Sequence, residues 1–486
     1  MFSVQASDCR GVKGLRAGVG KVRITPPVGI PLLGHLYRVS EGIHDDLWAK
    51  VLAIEDDSVA AVVALDLCWP MPEGDYVKIR DAIERSTGIK GENIMVSCTH
   101  THSGPAFEAR PEFGIPLKRQ RELIDPWVEE LPARVAEAAE AAMENIRETK
   151  VSYGKTLMTG ISYNRRKKIP EGVASLINVG ASHRYYYGDT SEMPRSIMEQ
   201  YIHWGMPPEK AEEYAPLGIP DGPIDPDLSV LCFEDVAVLI NFACHAVACS
   251  PPVPNLISAG FPGFTAEFVE QATGLPCLYT AGAGGDIRPY RSKPRGFEEA
   301  ERIGLVLASG VLKALKERRP VENPSLKVVS EFVEVPLREY PPRDEAERLL
   351  KEMQTQFERA RKEGRYRDAK RLLDRINALD FALGFGGWID QKGKVKLELQ
   401  AISLGDVVLL SIPNEVNVSI GLEIKEKSWT DKLLILTLTN GCYMYLLRKE
   451  EYEEGGYEEA ACRLAPGSGE MVIEAALRLL ERIREG

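Results

Sequence analysis

Apolar and polar positions along the chain alternate, or recur at helical spacing, in an order that predicts an α/β protein. Residues 17–29 alternate and then reach two prolines, which predicts a strand closed by a turn. Residues 47–55 and 59–67 have the same texture on either side of a short polar turn and predict a hairpin. Helical spacing over 75–86 then leads into a strand at 94–98. This alternation is typical of a mixed β-sheet core with flanking helices.

Strand texture returns twice more, each time as a predicted hairpin whose second strand ends at a polar residue. Residues 228–234 and 236–243 form one such pair and run into His245. Residues 395–404 and 407–412 form the other and run into Glu415. Further predicted elements are helices at 124–146, 264–272 and 469–484, and strands at 151–158, 276–280 and 433–439. No internal sequence repeat stands out.

Two segments depart from this alternation. Residues 185–226 are rich in Tyr, Pro, Gly and Glu without clear periodicity, and we interpret them as a long excursion that could form one wall of a pocket. Residues 341–385 consist almost entirely of Glu, Arg, Lys, Leu and Ala at helical spacing and predict a charged helical hairpin. We therefore expect one large catalytic domain over residues 1–486, with this hairpin as an insertion within it.

Composition and charge narrow the classes of function. The chain is 44% hydrophobic and 27% charged, as in ordinary globular proteins, and its net charge of -12 argues against binding to nucleic acid. The N-terminus lacks the charged start and apolar run of a secretory signal, so we expect a cytoplasmic protein without a membrane anchor. Nine scattered cysteines fit a reducing compartment. We expect the partner to be a small-molecule substrate; the oligomeric state stays undetermined.

Three predicted strand ends present residues that can bind a metal. His100 and His102 follow the strand at 94–98, and they lie on one face if that segment stays extended. A catalytic zinc site takes about three ligands from His, Asp and Glu and leaves a position for water. His100, His102, His245 and Glu415 supply such a set for one Zn²⁺. The alternatives are hydrogen-bonded surface histidines at 100 and 102 and a core histidine at 245.

Short motifs carry a resemblance to a known family. The most specific is Thr99-His-Thr-His-Ser-Gly-Pro105. Supporting motifs, in order along most of the chain, are Gly18-Val-Gly-Lys-Val-Arg-Ile-Thr-Pro-Pro-Val-Gly29, Gly42-Ile-His-Asp-Asp-Leu47, Asn241-Phe-Ala-Cys-His245, Gly285-Asp286, Pro413-Asn-Glu415, Asn440-Gly-Cys-Tyr-Met-Tyr445 and Gly456-Tyr-Glu458. With these motifs the chain resembles the catalytic domain of the neutral (non-lysosomal) ceramidases, zinc amidases that cleave the N-acyl bond of ceramide.

The resemblance implies a fold and a set of site residues. It implies a neutral-ceramidase-like catalytic domain in which one Zn²⁺ is held by one residue more than the four found at the strand ends. The implied ligands are His100, His102, His245, Glu415 and Tyr445. It further implies that Tyr457 lies beside the bound carbonyl of the substrate. Without the resemblance, both tyrosines would be interpreted as packing residues.

Departures from the ceramidase pattern bear on the substrate. Arg288 stands where ceramidases have a serine at the scissile amide, and Asn164-Arg-Arg-Lys167 stands where they have Asn-Arg-Ser-Pro. The membrane-associated immunoglobulin-like domain of ceramidases is also missing before the chain ends at Gly486. A guanidinium suits a carboxylate or phosphate. We therefore expect Arg288, with Arg165 sharing the task, to bind the anionic group of a small polar substrate rather than a long-chain lipid.

Each arginine also has a structural interpretation. Arg288 can form a salt bridge with the nearby Asp286, which would leave it no role in binding substrate. The basic run at 163–168 is, as charge runs usually are, more readily explained as a solvated face.

The predicted function is hydrolysis of a carboxylic amide by metal-activated water, with Tyr457 donating to the oxyanion and Arg288 beside it. Two alternatives stay open. The same centre could serve an esterase, lactonase, phosphoesterase or isomerase, because a metal and a few basic side chains do not name the bond. The protein could also be non-catalytic, with a zinc ion that only joins strands.

Overall fold

Three sheets follow one another along the chain in the computed structural model of the protein. The structure describes residues 14–34, 38–69, 74, 76–110, 113–176, 193–249, 254–290, 296–384 and 388–485. The first sheet is built from residues 16–148, the second from 151–320 and the third from 326–437. The predicted mixed α/β architecture is confirmed.

The first sheet contains the predicted hairpin of Trp48–Glu55 and Val59–Leu65, whose strands pair antiparallel. Helix Tyr76–Thr87 follows and returns the chain to Ile94–Cys98, which pairs parallel to the second hairpin strand. The strand order is Ile94–Cys98, Val59–Leu65, Trp48–Glu55, Arg16–Arg23 and Arg147–Glu148.

The second and third sheets are built in the same way. The second has the order Cys277–Ala281, Ala237–Phe242, Asp227–Phe233, Val151–Leu157 and Arg319–Pro320. The third has the order Leu433–Thr437, Val407–Ile412, Lys394–Leu404 and Leu326–Pro336. In both, a hairpin is followed by a helix and by a strand parallel to the second hairpin strand. The three sheets therefore share one β-β-β-α-β connectivity, which the sequence does not reveal as a repeat.

The three sheets meet face to face in a common core. Buried side chains from all three form one cluster, which includes Leu52, Val62, Leu239, Leu409 and Leu436. Burial of such side chains is the main favourable term for bringing the sheets together. On its other face each sheet packs against its own pair of helices. The pairs are Tyr76–Thr87 with Leu117–Glu144, Gly260–Thr273 with Phe297–Glu317, and Val418–Lys427 with Ser468–Glu485.

Hydrogen bonds also join the sheets where their parallel strands end. Asn440 donates its backbone N–H to Val96 O at 2.9 Å, and its side-chain oxygen accepts from Val96 N at 2.9 Å. Asn241 donates its amide to Ile435 O at 3.0 Å. These bonds hold the third sheet against the first and the second, near the residues that follow their parallel strands.

Shorter elements complete the described chain. The paired short strands are Pro31–Leu32 with Arg38–Val39, Gly42–Ile43 with Leu256–Ile257, Ser162–Asn164 with Ile287–Pro289, Arg166–Ile169 with Gly172–Ser175, and Glu415–Val416 with Tyr445–Leu446. The remaining helices are Met193–His203, Pro208–Ala211, Arg343–Lys362, Tyr366–Gly384, Lys449–Glu454 and Tyr457–Ala460, with 3₁₀ turns at Gly91–Asn93, Glu212–Gly218 and Trp388–Asp390.

The two glycines of the first strand, Gly18 and Gly20, allow a helix to pack closely against it. A Cβ at Gly18 would lie 2.0 Å from Ala142 O, and a Cβ at Gly20 would lie 1.9 Å from Ala138 O. Helix Leu117–Glu144 therefore packs directly on the backbone of this strand, at a distance that only glycine permits. This helix begins seven residues before the predicted start at 124.

Two expectations concern the excursion and the hairpin. Residues 185–192, at the start of the excursion 185–226, lie outside the described part of the chain, as do the preceding residues 177–184. The rest of the excursion contains short helices. In the segment 341–385, helices Arg343–Lys362 and Tyr366–Gly384 pack on Ile197, Tyr201 and Trp204. Within the described residues, no helix is both long and apolar enough to cross a membrane.

Candidate metal centre

Nitrogen and oxygen atoms from three distant strand ends converge on one buried point. The Nε2 atom of His245 lies 3.1 Å from Glu415 Oε2, and the Nε2 atom of His100 lies 3.4 Å from the same oxygen. The Nε2 atoms of His100 and His102 are 3.2 Å apart. The structure thus brings together all four residues that the sequence placed at strand ends.

Two of the four converging residues stand at equivalent positions in the second and third sheets. Strand Ala237–Phe242 is followed three residues later by His245, and strand Val407–Ile412 is followed three residues later by Glu415. The corresponding third residue in the first sheet, after Val59–Leu65, is Cys68, whose Sγ lies 3.7 Å from His100 Nδ1. Cys68, His100 and His102 form a second group that could hold a metal ion. Sequence reasoning missed Cys68, although its distance from the strand end marks it.

His100 and His102 meet for a reason other than the predicted one. The strand ends at Cys98, and His100 has a φ of 65°, in the left-handed region. The two side chains are therefore not placed by the alternation of an extended segment. A non-glycine residue in this conformation carries a local energetic cost, and such residues cluster at functional sites.

Backbone carbonyls orient two of the imidazole rings. His100 Nδ1 lies 2.8 Å from Cys68 O, and His245 Nδ1 lies 2.7 Å from Gly284 O. A carbonyl oxygen can only accept, so Nδ1 carries the proton in both rings. The other ring nitrogen, Nε2, faces Glu415 in both residues. This arrangement is usual for metal-binding histidines, whose other ring nitrogen is held by a neighbouring group.

The backbone also holds the third ring in place. A Cβ at Gly34 would lie 2.5 Å from Cγ and 2.6 Å from Nδ1 of His102. Gly34 has a φ of 89°, which glycine adopts without strain. The backbone of Gly34 therefore packs directly against the ring of His102.

The donor set fits a cation. Burial, reinforced by the nearby Arg165, lowers the pKa of His245 to about 4, so the ring is neutral near pH 7. Burial alone would raise the pKa of Glu415, but the adjacent His100 lowers it well below its usual range, so the group is a carboxylate. Two lone-pair atoms, His245 Nε2 and Glu415 Oε2, then face each other at 3.1 Å. A metal ion is the natural partner for such a pair, because no proton lies between them.

Tyr445 lies at the edge of the same cluster. Its hydroxyl is 3.4 Å from His245 Nε2 and accepts a hydrogen bond of 2.9 Å from Arg165 Nη2. Tyr457 is half-buried, and its ring centre lies 5.7 Å from that of Tyr445 in an edge-on arrangement. Of the two tyrosines that the resemblance implied, Tyr445 therefore contacts the converging residues directly, and Tyr457 lies behind it.

The basic run at 163–168 is not a solvated face, and that interpretation is wrong. Arg165, Arg166 and Lys167 are only 2%, 7% and 6% exposed. Glu458, which is fully buried, binds Arg165 Nε at 2.5 Å and Arg166 Nη1 at 2.9 Å. Sequence reasoning missed Glu458 as the partner, because 292 residues separate it from Arg166.

Arg288 is close to the candidate metal centre in the chain, because its neighbour Ile287 forms a backbone hydrogen bond with His245. It sits in strand Ile287–Pro289 opposite Tyr163, and the preceding Ile287 accepts the backbone N–H of His245 at 3.0 Å. The expected partner, Asp286, accepts hydrogen bonds from Asn164 Nδ2 at 2.7 Å and from Val418 N at 2.8 Å. Burial raises the pKa of Asp286 to about 7, so the group is partly protonated near neutral pH. The Asp286 carboxyl group is thus occupied in joining strand and helix.

Comparisons with known proteins support the fold. No protein-family model matches the sequence, and no curated protein matches it. Among solved structures, neutral ceramidase from Pseudomonas aeruginosa matches with a TM-score of 0.67 and 18% identity, covering 97% of this chain and 75% of that one. A structure described as ceramidase complexed with C2 matches with a TM-score of 0.65, 18% identity and the same coverage. The resemblance found in the sequence is therefore confirmed for the fold, which is that of a neutral-ceramidase-like catalytic domain.

Proposed function

We propose that the protein is a zinc-dependent hydrolase that cleaves a carboxylic amide bond of a small, polar, anionic substrate. The observation that carries the proposal is the 3.1 Å contact of two buried lone-pair atoms, His245 Nε2 and Glu415 Oε2, with two further imidazoles beside them. Apposed acceptors of this kind are destabilising in an apolar interior unless a cation joins them. The ceramidase-like fold supports amide hydrolysis among the reactions open to such a centre.

His100, His102, His245 and Glu415 would hold the ion, with Tyr445 at its edge. Zinc bound there supplies a water of pKa about 7 and polarises a carbonyl group. The carbonyls of Cys68 and Gly284 keep His100 and His245 in the tautomer that presents Nε2. These interactions fix the donor atoms before substrate arrives.

Tyr457 and Arg288 are proposed to act on the substrate. Tyr457 is half-buried beside Tyr445 and would donate its hydroxyl to the oxygen that becomes negative as the amide is attacked. Arg288 is adjacent to Ile287, which contacts the backbone of His245, and its guanidinium would bind the substrate anion. The position of Arg288 favours N-acyl amino acids and related acids over neutral lipids.

The test is the metal content and activity of the purified full chain. We expect near-stoichiometric zinc in the wild type, and a large loss in both His100→Ala and His245→Ala. We expect hydrolysis of N-acyl amino acids, with little activity toward simple esters and sugar phosphates. Zinc that persists in both variants would show that these residues are not the ligands. Faster turnover of esters or phosphates would replace the amidase assignment.

A further inference from the structure

A single buried carboxylate stands behind the candidate metal centre. Glu458 lies in the helix Tyr457–Ala460 and has no exposed surface. One oxygen accepts from Arg165 Nε at 2.5 Å, and the other accepts from Arg166 Nη1 at 2.9 Å. The two arginines are neighbours in sequence, so one carboxylate binds both, and Arg166 has a second carboxylate partner in Glu454.

A second donor of the Arg165 guanidinium, Nη2, contacts a residue of the candidate metal centre. Its Nη2 atom donates to the hydroxyl of Tyr445 at 2.9 Å, and that hydroxyl lies 3.4 Å from His245 Nε2. The guanidinium carbon also lies 5.6 Å from the ring centre of Tyr445 and 5.2 Å from that of Tyr457. A continuous path of contacts therefore runs from Glu458 through Arg165 and Tyr445 to the donor atoms.

We propose that Glu458 is a positioning residue that fixes Arg165, and through it the hydroxyl of Tyr445, at the metal centre. This inference rests on the proposed function. A guanidinium has a rigid, planar set of donors on a long flexible stem, so holding one edge determines where the other edge points. With Nε bound to Glu458, Arg165 directs Nη2 toward the hydroxyl of Tyr445.

The same carboxylate orders the second tyrosine. Arg166, held by Glu458, donates from Nη2 to Gly455 O at 3.2 Å and to Glu454 Oε2 at 3.3 Å. Gly455 precedes the helix that begins at Tyr457. Glu458 thus fixes the backbone before Tyr457 and the hydroxyl of Tyr445 together. One consequence is that Arg165 serves the protein's own tyrosine, which leaves the substrate anion to Arg288.

The test compares two glutamates of one short helix. Glu458→Gln keeps the shape of the side chain and removes its charge. Glu459→Gln is the matched control, because Glu459 binds Arg338 at 2.6 Å and, among the described residues, forms no hydrogen bond or ion pair with Arg165 or Tyr445. We expect zinc affinity, measured by chelator competition on the full chain, to fall about 10- to 100-fold in Glu458→Gln. We expect it to stay unchanged in Glu459→Gln.

A double variant separates positioning from general loosening of the fold. If Glu458 acts through Tyr445, Glu458→Gln combined with Tyr445→Phe should bind zinc no more weakly than Tyr445→Phe alone. Independent, additive losses would overturn the positioning role, as would wild-type affinity in Glu458→Gln. Should Glu458→Gln fail to fold, Glu458→Asp, which keeps the charge but withdraws the carboxylate, is expected to show the same coupling. A wild type that binds no zinc would overturn the proposed function itself, which distinguishes the two failures.

Discussion

Two buried polar regions lie side by side in this protein and differ in one respect. Around Glu458, a carboxylate is matched by the guanidiniums of Arg165 and Arg166, so donors and acceptors are in balance. Around Glu415, the lone pairs of the carboxylate and of the neutral His245 ring face each other at 3.1 Å with no donor between them. A balanced cluster is complete by itself, whereas an unbalanced one requires an ion. The imbalance, more than the residue types, marks the candidate site.

The largest expected effect is on stability, and it has opposite signs in the two regions. In metal-free protein, Glu458→Gln should lower the free energy of unfolding by about 3–5 kcal/mol, because it leaves buried guanidinium charge without a partner. Glu415→Gln should leave that energy unchanged or raise it by about 1 kcal/mol, because the new amide can donate to His245 Nε2. Urea unfolding with a chelator present measures both. Equal losses in the two variants would remove the distinction between the regions.

The second-largest expected effect is a change of stability with pH, and it arises from His245 in the unbalanced region. The pKa of His245 is about 4 in the folded protein, below its ordinary 6.5, so the unfolded chain binds more protons between these values. The contribution of His245 to the stability of the metal-free protein is therefore complete above pH 6.5 and is lost as the pH falls toward 4, by about 3 kcal/mol. His245→Asn, which keeps a donor for Gly284 O, should lack this part of the dependence. Unfolding curves from pH 4.5 to 7.5 test it, and an identical slope in the variant would contradict it.

The smallest effect concerns the backbone that supports His102. A methyl group at Gly34 would overlap the ring, so Gly34→Ala should weaken zinc binding about tenfold. Gly29→Ala is the control, because Gly29 has a similar φ of 93° but its Cβ would meet only Leu123 Cδ1 at 3.5 Å. Both substitutions place a methyl group on a residue with positive φ, but only Gly34→Ala should displace the ring of His102. Similar zinc affinity in the two variants would show that Gly34 does not position the ring.

Much of the scaffold follows from the sequence because it depends on local patterns. The alternation over 47–55 and 59–67 gave the hairpin, and helical spacing over 75–86 gave the helix Tyr76–Thr87. His245 and Glu415 could be placed at strand ends for the same reason, since a strand that leaves the core ends near its first polar residues. These features require no knowledge of what lies across the molecule.

Other features depend on partners far away in the chain and could not be predicted. The run Arg165 to Lys167 was interpreted as solvated because its charge partners are remote: Asp221 lies 54 residues from Lys167, and Glu458 lies 293 from Arg165. The left-handed backbone of His100 has no signal in its residue type. The shared connectivity of the sheets is invisible because it is a property of pairing order, not of matching residues.

Because the three units occur one after another, the donor set is complete only late in synthesis. His100 lies in the segment that forms the first sheet, His245 in the segment that forms the second and Glu415 in the segment that forms the third. A nascent chain on the ribosome cannot assemble the centre before Glu415 has emerged and all three units have docked. Bound zinc in this protein would therefore report a chain in which all three units have been synthesised and have docked.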